Sequence, residues 1–121
     1  MGESAGDSGD DLKIDYVEFS SRDIAASKGF FAQAFGWGFV DYGPEYQAFA
    51  GAGIDGGIDG SGQASAGTAL VILKAVDLEA ALARVEGAGG VVTKPIFSFP
   101  GGRRFHFREP GGAEMGVWAE R

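Results

Sequence analysis

The sequence has 121 residues and no cysteine. This length is that of one domain rather than two, and the lack of cysteine excludes disulfides, thiolate zinc ligands and a cysteine nucleophile. The formal net charge of −7 comes without a basic run, so nucleic acid is not an expected partner. No apolar stretch approaches the roughly 20 residues of a membrane helix. We therefore expect a soluble, cytoplasmic protein.

The first 12 residues are acidic and rich in glycine and serine. They carry Glu3, Asp7, Asp10 and Asp11, with neither the basic start nor the apolar stretch of a signal peptide. We predict a disordered acidic tail over residues 1–12 and a single domain over residues 13–121. Without the four tail carboxylates, the body of the chain carries about −3 of the −7.

The first half of the body reads as a strand, a helix and three further strands. Residues 14–20 alternate, with Val17 and Phe19 on one face and Tyr16 and Glu18 on the other. Asp23 stands where a helix N-cap belongs, and Gly36 where the helix ends. Between them runs a stripe of helical spacing, Ile24, Lys28, Phe31 and Phe35. Strand-like runs follow at residues 38–42, 46–50 and 54–58.

The second half repeats this pattern at an offset of about 54 residues. A predicted strand at 68–75 leads to the N-cap Asp77, a helix, a glycine stop at residues 87–90, and strands at 90–93, 103–108 and 114–119. The glycine-rich residues 51–67 are predicted to be a flexible connector. We predict an α+β fold of two β-α-β-β-β units, about 13–60 and 68–121, that form a curled mixed sheet around a cavity.

Several short segments, in this order, resemble the vicinal oxygen chelate superfamily. It includes glyoxalase I, bleomycin-resistance proteins and extradiol dioxygenases, and the resemblance covers residues 14–120. The segments that carry it are Val17-Glu18-Phe19, Arg22-Asp23-Ile24, Phe35-Gly36-Trp37, Val76-Asp77-Leu78 and Glu109-Pro110-Gly111-Gly112. The resemblance implies the two-unit fold, a small-molecule ligand and a homodimer.

Metal-dependent members of this family bind a divalent ion through His, Glu or Gln on the first and last strands of each unit. The resemblance places Tyr16, Leu70 and Gly116 at three of these four positions, and none is a usual ligand. The fourth falls within residues 54–60, where Asp55 or Asp59 is available. A catalytic metal needs about three protein ligands. We therefore expect a protein without the usual metal ligands and without a cofactor.

Strand alternation and side-chain chemistry select seven candidate site residues. Glu18 faces away from the apolar side of its strand, and either acts as a base or forms a structural salt bridge with Arg104 or Arg103. His106 is the single histidine and exchanges a proton near neutrality, or is an ordinary strand residue. The predicted catalytic residues are Glu18, His106 and Arg104, and the predicted substrate-binding residues are Tyr16, Trp37, Tyr46 and Trp118.

The sequence leaves three functions open. The leading hypothesis is a glyoxalase-like protein that binds a small organic molecule in the cavity between its units. If it is an enzyme, it would transfer a proton next to a carbonyl without a metal, as a lyase or isomerase related to lactoylglutathione lyase. The alternatives are a non-catalytic drug-binding protein of the bleomycin-resistance type, and a metal-dependent lyase or dioxygenase with displaced ligands.

Overall fold

The computed structural model describes residues 11–121, which fall into two compact units. The first unit comprises residues 16–70, and the second comprises residues 71–121 together with 11–15. The element order confirms the predicted repeat of strand, helix and three strands. The elements are β1 (Lys13–Ser20), α1 (Ile24–Phe35), β2 (Gly38–Asp41), β3 (Tyr46–Ala50), β4 (Asp55–Asp59), β5 (Ala69–Lys74), α2 (Leu78–Gly87), β6 (Val91–Phe99), β7 (Gly102–Arg108) and β8 (Glu114–Ala119).

The strands of the first unit lie in the order β2-β3-β4-β1. β4 pairs in parallel with β1 and antiparallel with β3. β4 confirms the strand-like run predicted at residues 54–58, displaced by one residue. The prediction of a flexible connector over residues 51–67 was wrong for the part that β4 occupies. The glycines of β4 serve close packing, because a Cβ on Gly56 would lie 2.1 Å from the carbonyl oxygen of Val17.

Helix α1 begins and ends as predicted. The Asp23 carboxylate accepts a hydrogen bond from Ala26 N at 3.0 Å, and Gly36 adopts a left-handed conformation, φ 75°, and donates to the carbonyl of Ala32. Phe31 packs against Phe19 of β1, with ring centroids 6.0 Å apart. α1 contains no buried residue, and Phe35 is 60% exposed. The predicted stripe thus touches the sheet mainly through its middle.

The second unit has the strand order β5-β8-β7-β6, with β5 parallel to β8. The Asp77 carboxylate caps α2 by accepting from Ala80 N at 3.0 Å. Phe105 and Phe107 pack into a buried cluster with residues of α2, as their alternation along β7 predicts. Burial of a side chain such as Phe105 contributes roughly 2–3 kcal/mol to folding. Because Phe105 and Phe107 face this cluster, the side chains between and beside them lie on the opposite face of β7.

Strand β6 is longer than predicted and continues through Pro95 to Phe99. Its pairing with β7 shifts register between Val92 and Lys94 and again between Lys94 and Phe97. A proline fits at such an irregularity because it interrupts the regular ladder of backbone N–H donors. The extension brings Lys94, Phe97 and Phe99 alongside β7.

The predicted tail mostly lies outside the described residues, since only Asp11 and Leu12 of it are described. Leu12 N donates to the Lys74 carbonyl at 2.7 Å, and the Asp11 carboxylate accepts from Val76 N at 2.9 Å. The side chain of Leu12 packs against the core of the second unit. Neither described helix is long and apolar enough to cross a membrane.

Candidate functional site

A buried carboxylate and two phenols form a hydrogen-bonded cluster in the first unit. Glu18 is only 8% exposed, and its Oε2 accepts a hydrogen bond from the Tyr46 hydroxyl at 3.0 Å. The hydroxyl of Tyr46 is also in a short hydrogen bond with the hydroxyl of Tyr16. The structure thus brings together three of the seven predicted site residues.

The strand pattern explains how these side chains meet. Alternation along β1 places Tyr16 and Glu18 on the face opposite Phe19, which packs on α1. Glu18 lies beside Gly57 of β4, and a Cβ on Gly57 would lie 2.3 Å from the Tyr46 hydroxyl oxygen. The missing side chain at position 57 is therefore the space that the Tyr46 ring occupies.

Burial and neighbouring charge keep Tyr46 protonated. The pKa of its hydroxyl is raised far above its usual value, first by burial, then by the negative charge of Glu18 and by the hydrogen bond with Tyr16. The phenol therefore acts as a hydrogen-bond donor to the carboxylate at every physiological pH. A carboxylate held in this way is a candidate proton acceptor or a partner for a ligand N–H or O–H group.

His106 is the central polar residue of the second unit and is 7% exposed. Its Nδ1 lies 4.0 Å from Glu114 Oε2, whereas its Nε2 is buried and has no hydrogen-bond partner among the described residues. Its pKa is lowered to about 4, chiefly by burial and then by the positive charges of Arg104 and Lys94, with Glu114 opposing them. The imidazole is therefore neutral at pH 7.

Arg104 stands two residues before His106 and faces aromatic rings. Its guanidinium carbon lies 5.4 Å from the centre of the Phe97 ring and 5.6 Å from that of Phe99. The neighbouring Arg103 instead pairs with Glu79 of α2 through two hydrogen bonds, at 2.6 and 3.0 Å. The sequence left Arg103 and Arg104 as alternative salt-bridge partners of Glu18, and the structure places these two arginines in different surroundings.

The two tryptophans occupy different environments. Trp118 donates from its indole N–H to the Asp15 carboxylate at 3.1 Å and lies 6.1 Å from the Phe99 ring. Trp37 stacks on Phe31 of α1 at 4.9 Å, in an aromatic cluster that includes Phe49. The structure therefore places Trp37 on the helix side of the first unit and does not bring it together with Tyr16, Glu18 and Tyr46.

Several residues of these clusters were not predicted. Lys94 and Phe97 were missed because the strand that carries them was predicted to end at residue 93, and Pro95 hid its continuation. Asp15 was missed because nothing in the sequence indicates its indole partner. The hydroxyl of Tyr46 was treated only as part of an aromatic ring, since its pairing with Glu18 depends on contacts between distant strands.

The donors at the family's metal positions do not fit a divalent ion. Tyr16 is engaged by Tyr46, Leu70 is apolar and buried, and Gly116 has no side chain. The register of β1 and β4 sets Asp55 beside Tyr16 and Asp59 beside Ser20, and Asp59 accepts from Ser61 N at 2.9 Å. Within residues 11–121, no group of three or more His, Asp or Glu side chains converges.

A shallow groove lies at the end of β3 and the start of β4. It has a volume of about 290 Å³ and is lined by residues 49–55, mostly glycine and alanine. Its lining contains none of the seven predicted site residues. Apart from Asp55, the groove offers none of the polar side chains from which a site for chemistry could be built.

Two β-α-β-β-β units that carry polar side chains off their helix-packed faces define a glyoxalase-like fold. The model of the Glyoxalase/Bleomycin resistance protein/Dioxygenase superfamily matches residues 13–117, and the chain belongs to this superfamily. The resemblance deduced from the sequence is thereby confirmed. No curated protein matches the sequence.

Solved structures of low sequence identity share this fold. A superfamily member from Vibrio splendidus 12B01 is similar with a TM-score of 0.71 and 19% identity, over 89% of this chain and 98% of that one. The Mn(II)-bound glyoxalase from Novosphingobium aromaticivorans gives 0.67 and 24%, over 90% of this chain but 39% of the other. Methylmalonyl-CoA epimerase from Mycobacterium tuberculosis gives 0.67 and 12%, over 88% and 86%. These likenesses concern the fold alone.

Proposed function

We propose that this protein binds a small organic molecule that contains a carbonyl group, and that it transfers a proton at the carbon next to that carbonyl without the superfamily's usual metal site. The observation that carries the proposal is the buried Glu18 carboxylate, held by Tyr46 and through it by Tyr16. In this proposal Glu18 is the base, and the two phenols orient it.

The geometry suits a base for two reasons. The Tyr46 hydroxyl donates to Oε2 of Glu18 and restricts the orientation of the carboxylate. Less entropy is therefore lost when the carboxylate is positioned for proton transfer. Exclusion of water strengthens electrostatic interactions with a bound ligand. The fold is compatible with such chemistry, since an epimerase is among the structures of similar fold.

The predicted role of His106 also remains part of the proposal. A neutral imidazole can accept a proton, but a pKa of about 4 makes it a weak base at pH 7. Glu18 is the base that we favour, because the Tyr46 hydroxyl orients its carboxylate.

Hydrogen exchange in deuterated water tests the proposal. Small ketones, 2-oxo acids and thioesters are incubated with the protein, and NMR follows the loss of the proton next to the carbonyl. We expect exchange with at least one compound class, and a loss of roughly 100-fold or more in Glu18→Gln. The matched control is Glu45→Gln, since Glu45 is exposed on the same unit. Full exchange activity in Glu18→Gln would exclude Glu18 as the base.

The second candidate function is sequestration of a cationic aromatic drug without turnover. The net charge of −7 and the exposed rings Phe30 and Phe35 favour it. Here thermal stabilisation by aromatic cations would occur with no deuterium exchange in any carbonyl compound. Deuterium exchange and thermal stabilisation, measured together, therefore separate the two candidate functions.

We also propose that the protein forms a homodimer through the exposed aromatic side chains of α1. Phe30 and Phe35 are 59% and 60% exposed, and Lys28 is the one charged residue of this helix. A second copy of the chain is the occupant that we propose, because its matching aromatic rings would bury apolar surface on both partners. The acidic residues responsible for the net charge of −7 all lie outside α1. An anionic membrane surface would be repelled by the same charge.

A further inference from the structure

We propose that the second unit carries a binding site for a small organic anion, with a carboxylate or phosphate group, at the surface of β6, β7 and β8 formed by Lys94, Phe97, Arg104, His106 and Gly116. We name this surface the anion site. It does not depend on the proposed proton transfer.

The first argument is the unsatisfied nitrogen of His106. Nε2 of this 7% exposed side chain makes no hydrogen bond within residues 11–121. Buried polar atoms in folded proteins nearly always have a partner, because an unpaired one costs about 1–3 kcal/mol. A ligand oxygen is the partner that this nitrogen lacks.

The second argument is the positive potential around the imidazole. The amine of Lys94 and the guanidinium carbon of Arg104 each lie 5.4 Å from the centre of the Phe97 ring, which packs edge-on against His106 at 5.7 Å. Three basic side chains thus surround one aromatic ring. The acidic residue that faces His106 is Glu114, on the side of Nδ1 and not of Nε2.

Other groups already share the charge of Glu114. Its Oε2 accepts a hydrogen bond from the Thr93 hydroxyl at 2.7 Å, and its Oε1 lies 3.9 Å from Arg108 Nη2. Burial is the main cause of the lowered pKa of His106, and after it the positive charges of Arg104 and Lys94 each act more strongly than the opposing charge of Glu114. An oxyanion at Nε2 would be attracted to Arg104 and Lys94 and would meet Glu114 only across the ring.

The third argument is the space beside the imidazole. Gly116 lies directly opposite His106 in the pairing of β7 and β8. A Cβ at this position would lie 3.4 Å from His106 Cδ2 and 3.4 Å from Ile72 Cγ1. Glycine therefore leaves space for about one methyl group beside Cδ2, the ring atom bonded to Nε2, and an alanine would fill this space while remaining compatible with the fold.

Anion binding has a signature that other ligands lack. A negative charge next to Nε2 favours the imidazolium form, so the pKa of His106 should rise from about 4 when an anion binds. The imidazolium would donate from Nε2 to the ligand and direct Nδ1–H toward Glu114. Binding should therefore be coupled to proton uptake.

The test uses the fact that His106 is the only histidine. Its ring ¹⁵N resonances are followed by NMR from pH 3.5 to 7.5 with sodium benzoate, with inorganic phosphate, and with sodium chloride at equal ionic strength. We expect benzoate or phosphate to shift the Nε2 resonance in a saturable manner and to raise the titration midpoint by about one unit or more. The probe that saturates at lower concentration identifies the preferred anionic group.

Matched variants assign the site. Arg104→Met and Lys94→Met should each weaken binding by roughly tenfold, and Gly116→Ala should weaken it by filling the space beside Cδ2. Arg103→Met, which removes the neighbouring arginine that pairs with Glu79, should bind as the wild type does.

Two results would overturn the proposal. One is the absence of any saturable shift of Nε2 with benzoate and phosphate at up to about 50 mM, a weaker affinity than a built site should have. The other is equal loss of binding in Arg103→Met and in all three site variants, which would indicate nonspecific attraction. No turnover enters these measurements, so inactivity in the deuterium assay does not bear on them.

Discussion

At the scale of single residues, removing the hydroxyl of Tyr46 tests how much a single buried hydrogen bond contributes to stability. This hydroxyl donates a hydrogen bond of 3.0 Å to the carboxylate of Glu18, which is 8% exposed. A buried acceptor that loses its donor retains the desolvation cost without the compensating bond. The Tyr46 side chain should therefore contribute to folding through its oxygen as well as through its ring.

We predict that Tyr46→Phe lowers the free energy of unfolding by about 1–2 kcal/mol. Urea denaturation followed by circular dichroism measures this change. The control is Tyr42→Phe, since Tyr42 is 69% exposed and its replacement should change stability by less than about 0.5 kcal/mol. A Tyr46→Phe protein as stable as the wild type would show that the Glu18 carboxylate does not need this donor.

His106 should make stability depend on pH. Its pKa is about 4 in the folded chain and near 6.5 in the unfolded chain, so the unfolded state binds more protons between these values. The contribution is complete above pH 6.5 and is lost as the pH falls toward 4. It should be on the order of 3 kcal/mol.

Urea denaturation between pH 4 and pH 7.5, without added anions, measures this effect. His106→Gln has no group that titrates at this position, so its stability should fall less steeply with decreasing pH than that of the wild type. Parallel curves for the two proteins would contradict the burial of a neutral imidazole.

Sequence patterns predicted some of these residues and missed others for a definite reason. Alternation within one strand is a local property, and it correctly separated Glu18 from Phe19 and His106 from Phe105. The match of Glu18 with Tyr46 depends on how β1, β3 and β4 pair, which no local pattern encodes. Candidate polar residues could therefore be chosen from the sequence, but their hydrogen-bond partners could not.

At the scale of elements, the helix ends were predictable, whereas two conflicting predictions covered β4: a strand-like run at residues 54–58 and a flexible connector over residues 51–67. N-cap and C-cap signals are local, and both N-caps and Gly36 act as predicted. Glycine is depleted in strands, so Asp55–Asp59 looked like part of a connector. The structure requires glycine there because the Val17 carbonyl and the Tyr46 ring occupy the space of two Cβ atoms.

We predict that Gly56→Ala destabilises the protein by more than about 3 kcal/mol, because its Cβ would lie 2.1 Å from the backbone oxygen of Val17. Thermal and urea denaturation measure this loss. The matched substitution Gly29→Ala lies in α1 with no atom within 4 Å of the new methyl group. It should stabilise the helix by roughly 0.5–1 kcal/mol. A Gly56→Ala protein of normal stability would contradict the pairing of β1 with β4.

At the scale of the whole molecule, the repeat and the family were readable from the sequence, since each half has its own alternation, cap and glycine stop. The degree of burial of the phenylalanines on α1 was not readable from the sequence. The spacing of Phe31 and Phe35 is that of a packed stripe, yet Phe35 is 60% exposed and its neighbour Phe30 is 59% exposed. Periodicity indicates which residues share a face, but not whether another surface covers that face.

We predict that the protein self-associates. If two copies meet through the aromatic face of α1, sedimentation velocity should show a dimer whose fraction rises with protein concentration. The double variant Phe30→Ser, Phe35→Ser should be monomeric, whereas Val76→Ser, at a 72% exposed position outside this face, should associate as the wild type does. Added salt should strengthen association, because it screens repulsion between chains of charge −7 and leaves apolar contacts intact. A wild-type chain that remains monomeric at about 100 μM, or a dimer that persists in the double variant, would contradict the assignment of this face.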